Sequence, residues 1–189
     1  MTTVIDKLRD EHRNFEKLLC VLEQELDVFD RSEHPDYEIV QAVIAYFQDY
    51  PNRCHHPKED LVFERLKARD PVAADSLGDL EAEHREEALR LQRLARELAD
   101  ILTDGEVLRR SFDATVRGFI AHERDHIEME ERALFPAAIK ALQPEDWAAI
   151  ESSLIDRRDP LASVDIEDQF RFLHERILQW EAEAQRDRA

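Results

Sequence analysis

Glycine is nearly absent from this chain, with three in 189 residues, and only seven prolines interrupt it. A sequence so short of turn-formers is built for long helices rather than for sheets. Two cysteines, Cys20 and Cys54, are too few for a disulfide framework and point to a reduced compartment, with the cytoplasm as the default. No run approaches the roughly 20 apolar residues of a membrane span, and "MTTVIDKLRDEHRNF" has no apolar signal core. Positive charge is in deficit as well, with 26 Lys and Arg against 44 Asp and Glu and a formal net charge of −18. That balance argues against nucleic acid and anionic membrane as partners, because both need a basic face. What remains is a chain in which 37% of residues are charged and Ala, Leu, Glu and Arg dominate. The expected class is all-α, in one domain or one domain with an appendage.

Four long segments carry helical periodicity. In the first, Ile5, Leu8, His12, Phe15, Leu19, Leu22, Leu26 and Phe29 recur at spacings of three and four and line one face. The second runs from about Tyr37 to Arg69, with Val40, Ile44, Phe47, His55, Glu59, Val62 and Leu66 on one side. The third runs from about Val72 to Leu102 through Leu77, Leu80, His84, Ala88, Leu91 and Leu98, and "TDGE" closes it with a glycine suited to a left-handed turn. The fourth, from about Val107 to Leu142, carries Phe112, Val116, Phe119, His122, His126, Glu130 and Ala133. Short links between long helices make neighbours antiparallel, so the expected architecture is an up-down-up-down four-helix bundle over residues 1–142, followed by a C-terminal helical extension over 143–189.

A histidine interrupts each apolar stripe, and the depths match. His12 and His84 lie early in the first and third helices, His55 and His126 late in the second and fourth. At about 1.5 Å per residue, antiparallel packing brings all four into one layer. Glu59 and Glu130 stand one turn beyond His55 and His126 and add two carboxylates. Buried imidazoles and carboxylates are stabilised together most simply by a metal. With no inward cysteine, the donors suit iron, manganese or zinc, and two bridging carboxylates ask for two ions roughly 3.5 Å apart.

The pattern of His12 in "RDEHRNF", His55 and Glu59 in "HHPKEDLVF", His84 in "EAEHREE", and His126 with Glu130 in "HIEMEERALFP" resembles the hemerythrin-like proteins, the hemerythrin HHE cation-binding domain family. The likeness covers about residues 4–142. It implies two non-haem iron ions with an oxo or hydroxo bridge, cycling between Fe2+ and Fe3+ and binding O2 or a related small ligand. Two departures from hemerythrins proper stand out. Their third helix carries a second histidine one turn after the first, where this chain has Ala88; His122 on the fourth helix is the available fifth histidine. They also space the fourth-helix carboxylate five residues after the histidine, which would select Glu131. At about 100° per residue, His122 and Glu130 lie about 40° either side of His126 and Glu131 about 140° away, so Glu130 is preferred. The expected metal ligands are therefore His12, His55, Glu59, His84, His122, His126 and Glu130.

Pro57 sits between His55 and Glu59 and removes a backbone donor near Arg53, and Pro51 does the same one turn earlier. A kinked helix keeps the stripe in phase across both. His56 points about 100° from His55, so a supporting place behind the ligands is open to it and direct ligation is not expected. His34 and His174 are expected in solvent, and Cys54 either lines the site or packs. "QPEDW" reads as a helix start, "DP" at Asp159–Pro160 as a break, and Ile166, Phe170, Leu173, Ile177 and Trp180 as an apolar stripe that the bundle or another subunit of a homo-oligomer must cover. The functions in competition are a di-iron carrier, store or sensor of O2 with peroxide or nitric oxide reactivity, a ferritin-like di-iron oxidase, and a structural or iron-responsive metal module. The oxidase class uses glutamates on all four helices. This chain is poor in inward glutamate.

Overall fold

Asp36 opens the second segment by accepting the backbone N–H groups of Glu38 and Ile39 at 3.0 and 3.3 Å, a cap that fixes where the helix begins. In the computed structural model, which describes residues 3–31, 35–103, 109–156 and 166–188, the described residues form helices and no strand. The helices are α1 (Thr3–Asp30), α2 (Tyr37–Tyr50), α3 (His56–Arg69), α4 (Pro71–Ser76), α5 (Leu80–Leu102), α6 (Arg109–Met129), α7 (Phe135–Ala141), α8 (Pro144–Asp156) and α9 (Ile166–Arg188). α1 packs on α2 and α6, and α5 packs on the same two, so the long helices form a bundle around a shared interior.

Two π-helical turns join helices without a break: Pro51–His55 between α2 and α3, and Glu130–Leu134 between α6 and α7. In each the bond reaches five residues back, from the His56 N–H to the Pro51 carbonyl and from the Phe135 N–H to the Glu130 carbonyl. Each is followed by a proline, Pro57 or Pro136, that lacks the donor an α-helix would need. The widened turn takes up one extra residue. Phe47 and His55 would stand about 80° out of phase in an uninterrupted helix at about 100° per residue. The π turn closes that gap, and both side chains are buried.

The third segment differs from the single helix expected from Val72 to Leu102. It divides into α4 and α5, because Gly78 takes a φ of 84° and Asp79 caps a new helix through the Ala82 N–H at 3.1 Å. The expected glycine turn in "TDGE" lies outside the described residues.

Two apolar clusters fill the interior, with a polar layer between them. Val4, Ile5, Leu8, Val62, Leu66, Leu80, Leu134 and Phe135 belong to one cluster. Phe15, Leu19, Phe47, Leu91, Val116 and Phe119 belong to the other. Between Leu8 and Phe15 on α1 stand Glu11 and His12, and between Leu80 and Leu91 on α5 stand His84 and Glu87. The same interval holds His55 to Glu59 on the second segment and Glu123 to Glu130 on the fourth.

Beyond residue 142, α8 packs on α3, where Arg69 grips Asp146 at 2.8 and 3.1 Å. α9 packs along α1 and α2. Its Phe170 and Ile177 join the larger cluster, Phe170 meeting Tyr46 and Tyr50 at ring distances of 5.7 and 5.2 Å. The apolar stripe of α9 is thus covered by the chain's own bundle. His174 is not the solvated residue expected from its charged neighbours: it is buried against Tyr46, with Nε2 3.3 Å from the Asn14 carbonyl. Phe170→Ala is expected to cost about 3 kcal/mol, read as a lower urea midpoint with an unchanged slope.

Candidate metal centre

Glu59 and Glu130 present all four of their carboxylate oxygens to the polar layer, and neither side chain has any exposure. Glu59 Oε1 lies 2.7 Å from His55 Nε2 and 3.7 Å from His12 Nε2, while its Oε2 lies 3.5 Å from His84 Nε2. Glu130 Oε2 lies 3.2 Å from His12 Nε2, and its Oε1 lies 3.4 Å from His126 Nε2. Each carboxylate therefore turns one oxygen toward the His12–His55 side and the other toward the His84–His126 side. Helix spacing sets this up, since His55 and Glu59, and His126 and Glu130, are each one turn apart.

Hydrogen bonding leaves the layer unsatisfied. Among the described residues, both oxygens of Glu59, both of Glu130, and Nε2 of His84 and His126 are buried without a hydrogen-bond partner. His12 and His55 bring their Nε2 atoms to 3.2 Å from one another. Their Nδ1 atoms face the Glu131 and Glu11 carboxylates at 3.0 and 2.7 Å. A carboxylate only accepts, so Nδ1 carries the proton in both rings, and the Nε2 atoms meet as two lone pairs or, once protonated, as two donors. Cations between rings and carboxylates satisfy every one of these atoms, and the nitrogen and oxygen donors fit divalent metals.

Without metal, protons take that place. Burial disfavours charge on His12, but Glu130 and Glu59 outweigh it and hold the ring up at about 9. Burial opposes charge on His55 too, and Glu59 and Glu11 raise it to about 10. Glu59 would be pushed up by burial, yet the imidazoles of His55 and His12 hold it well below the usual carboxylate range. Burial and the charge of Glu59 push Glu130 up to about 8, and burial pushes His126 down to about 4.

Two groups of side chains could each hold a metal ion: His12, His55, Glu59 and Glu130, and His56, Glu59, His84 and His126, with the candidate ligand atoms of each group within 4.8 Å of one another. His56 lies beside the layer, in the supporting place left open for it. Its ring stacks on His84 with centroids 3.7 Å apart and planes 11° apart. An imidazole binds metal in its own ring plane, and one ion cannot lie in two parallel planes. In this arrangement His56 supports His84, while Glu87 Oε2 holds His56 Nε2 at 3.2 Å. His122 enters neither group, although its Nε2 is buried without a partner. Glu131 stands outside the oxygen set, gripping His12 Nδ1 and accepting from Arg9 at 2.9 Å.

The outer carboxylates Glu11 and Glu87 were not legible in the sequence, where acidic residues on charged helices read as solvated. Glu123 is another: it is buried, and burial with the charge of Glu87 pushes its carboxyl well above the usual range. Cys54 packs in the larger cluster, with its thiol pushed up to about 11 by burial.

No described helix is long and apolar enough to cross a membrane. A search of curated proteins finds no match. The profile of the hemerythrin HHE cation-binding domain matches residues 3–138. The matched stretch takes in the whole layer of convergent histidines and glutamates, and the chain belongs to the hemerythrin HHE cation-binding domain family.

Proposed function

We propose that the chain is a non-haem di-iron protein, with one ion held by His12, His55, Glu59 and Glu130 and the other by His84, His126, Glu59 and Glu130, in an up-down-up-down bundle covered on one side by the 143–189 extension. The carrying observation is the division of labour at the carboxylates: each has one oxygen toward one histidine pair and one toward the other. A thiolate-free set of nitrogen and oxygen donors favours iron over structural zinc. The free Cys20 and Cys54 suit a reducing cytoplasm.

Two histidines on each side make the sites equivalent, unlike the three-plus-two set that His122 would have produced. Bound iron supplies one electron per ion and open positions for a small ligand. With both sites open, the arrangement favours reaction with O2, peroxide or nitric oxide over reversible O2 carriage. The protein's own part is to keep the layer dry between two apolar clusters and to hold a proton on Glu130 until metal displaces it. The ferritin-like oxidase stays second, because among the described glutamates Glu59 and Glu130 are the two that reach both histidine pairs, while Glu11, Glu87 and Glu131 hold the far sides of the rings.

Elemental analysis of protein purified without added metal is expected to find two iron ions per chain, and a single tightly held zinc would sink the di-iron reading. Admitting O2 to the ferrous protein is expected to change the visible spectrum without recovery on degassing. His122→Ala is expected to keep both ions. Loss of one ion from that variant would restore His122 as a ligand.

A further inference from the structure

We infer that Glu11 and Lys58 form a buried relay that positions His55 and sets its strength as a metal donor, and that the C-terminal helix α9 acts on the centre through this relay; the inference rests on the dinuclear reading above. The Lys58 ammonium is 4% exposed and meets three oxygens: Glu11 Oε1 at 2.7 Å, the Cys54 carbonyl at 2.6 Å and Glu167 Oε1 at 3.3 Å. An ammonium has three donors, so all are engaged. The second oxygen of Glu11 takes the Nδ1–H of His55 at 2.7 Å. A continuous chain of charged contacts therefore runs from Glu167 on α9, through Lys58 on α3 and Glu11 on α1, to a histidine at the end of the π turn.

α9 starts at Ile166, beyond the 3–138 stretch that matches the family, so this connection adds a segment of the chain to the metal centre from outside the matched domain. A carboxylate that holds the far N–H of a ligating histidine fixes its tautomer and orientation and raises the basicity of its other nitrogen. Lys58 competes for the same carboxylate, and Glu167 partly neutralises Lys58. Removing the Glu167 charge leaves more of the Lys58 charge on Glu11, and His55 becomes a weaker donor. Lys58 also ties the Cys54 carbonyl within the π turn, so it holds the backbone beside His55 as well as the ring.

Burial distinguishes the Glu11–Lys58 pair from the contacts behind the other rings, and only its outer member, Glu167, reaches solvent, at 40% exposure. Glu131 and Arg9, behind His12, are 31% and 27% exposed and water screens them. Asp60 stands 3.9 Å from His84 Nδ1 and is half exposed. Glu11 and Lys58 are buried, with Glu167 of α9 against the ammonium, and Phe15 meets the His55 ring edge-on at 4.8 Å.

The test uses the full chain as wild type, Glu11→Gln, Glu167→Gln and the double variant, each loaded anaerobically with Fe2+. Competition with a chelator measures affinity, and a redox titration followed by absorbance measures the Fe3+/Fe2+ midpoint. Glu11→Gln is expected to weaken iron binding by roughly 10–100-fold and to raise the midpoint. Glu167→Gln changes a part-exposed surface residue that folding tolerates, and it is expected to raise the midpoint less. In the Glu11→Gln background, Glu167→Gln is expected to add nothing, because the path to His55 is already cut. An equal Glu167→Gln shift in both backgrounds would mean a simple through-space field and would overturn the relay. Two iron ions in the wild type with unchanged affinity and midpoint in Glu11→Gln would also overturn it while leaving the centre intact. Wild-type protein that takes up no iron would remove centre and relay together.

Discussion

Glu59→Ala is expected to empty both metal positions at once, taking iron content from two ions per chain to near none, because one oxygen of Glu59 serves each histidine pair. The effect on the metal-free protein separates Glu59 from its partner. Glu59 is the fully buried anion that faces the raised imidazoles of His12 and His55. Its removal takes the buried anion from the Nε2 side of both rings and leaves only Glu11 and Glu131 on their far nitrogens, at a cost of about 3 kcal/mol. Burial and the charge of Glu59 push Glu130 toward its neutral form, so Glu130→Ala is expected to cost less, chiefly its packing and its contact with His12 at 3.2 Å. Both variants are expected to lose iron, and only Glu59→Ala is expected to destabilise the metal-free protein by the loss of a charge. Urea denaturation of chelated protein at pH 7 measures the difference, with exposed Glu86→Ala as a control within about 0.5 kcal/mol of wild type. Two ions retained in Glu59→Ala would overturn the shared-carboxylate arrangement.

Periodicity pointed to the polar layer, because a histidine inside an apolar stripe at matched depth faces the interior. His12, His55, Glu59, His84, His126 and Glu130 converge for that reason. What stayed hidden depends on local geometry that the α-helical repeat does not encode. His56 comes close by stacking on His84 across the α3–α5 gap, with Glu87 on its far side. Lys58 and Glu11 read as two charges among many, and only their proximity across α1 and α3 makes them a buried pair. His174 looked solvated among its charged neighbours, yet α9 turns it toward α1. The fifth histidine was sought one turn from His126 because it shares that face. The structure leaves His122 outside both groups. Shared face is a weaker constraint than convergence on two carboxylates.

Raising the pH from 6 to 10 is expected to destabilise the metal-free protein and to leave the metal-loaded protein nearly unchanged. His12 at about 9 and His55 at about 10 stand above the ordinary 6.5 of an unfolded histidine. A raised folded value means stabilisation that is complete below about 6.5 and is lost as pH climbs through the folded values. Glu130, raised from 4.5 to about 8, acts in the same direction at lower pH, because the folded state keeps a proton that the unfolded chain has released. His126, lowered to about 4, opposes them only on the acid side, where stability rises with pH up to about 6.5. Each proton that the folded chain keeps and the unfolded chain has released costs about 1.4 kcal/mol per pH unit. Under the proposed function a metal held by His12, His55 and Glu130 would take the place of these protons, so the loaded protein would have none to release there and metal affinity is expected to rise with pH. Paired thermal melts with and without chelator at pH 6, 8 and 9.5 are expected to show a gap that widens with pH. A gap that narrows would mean that protons and iron do not compete for the same atoms, and the centre would have to lie elsewhere.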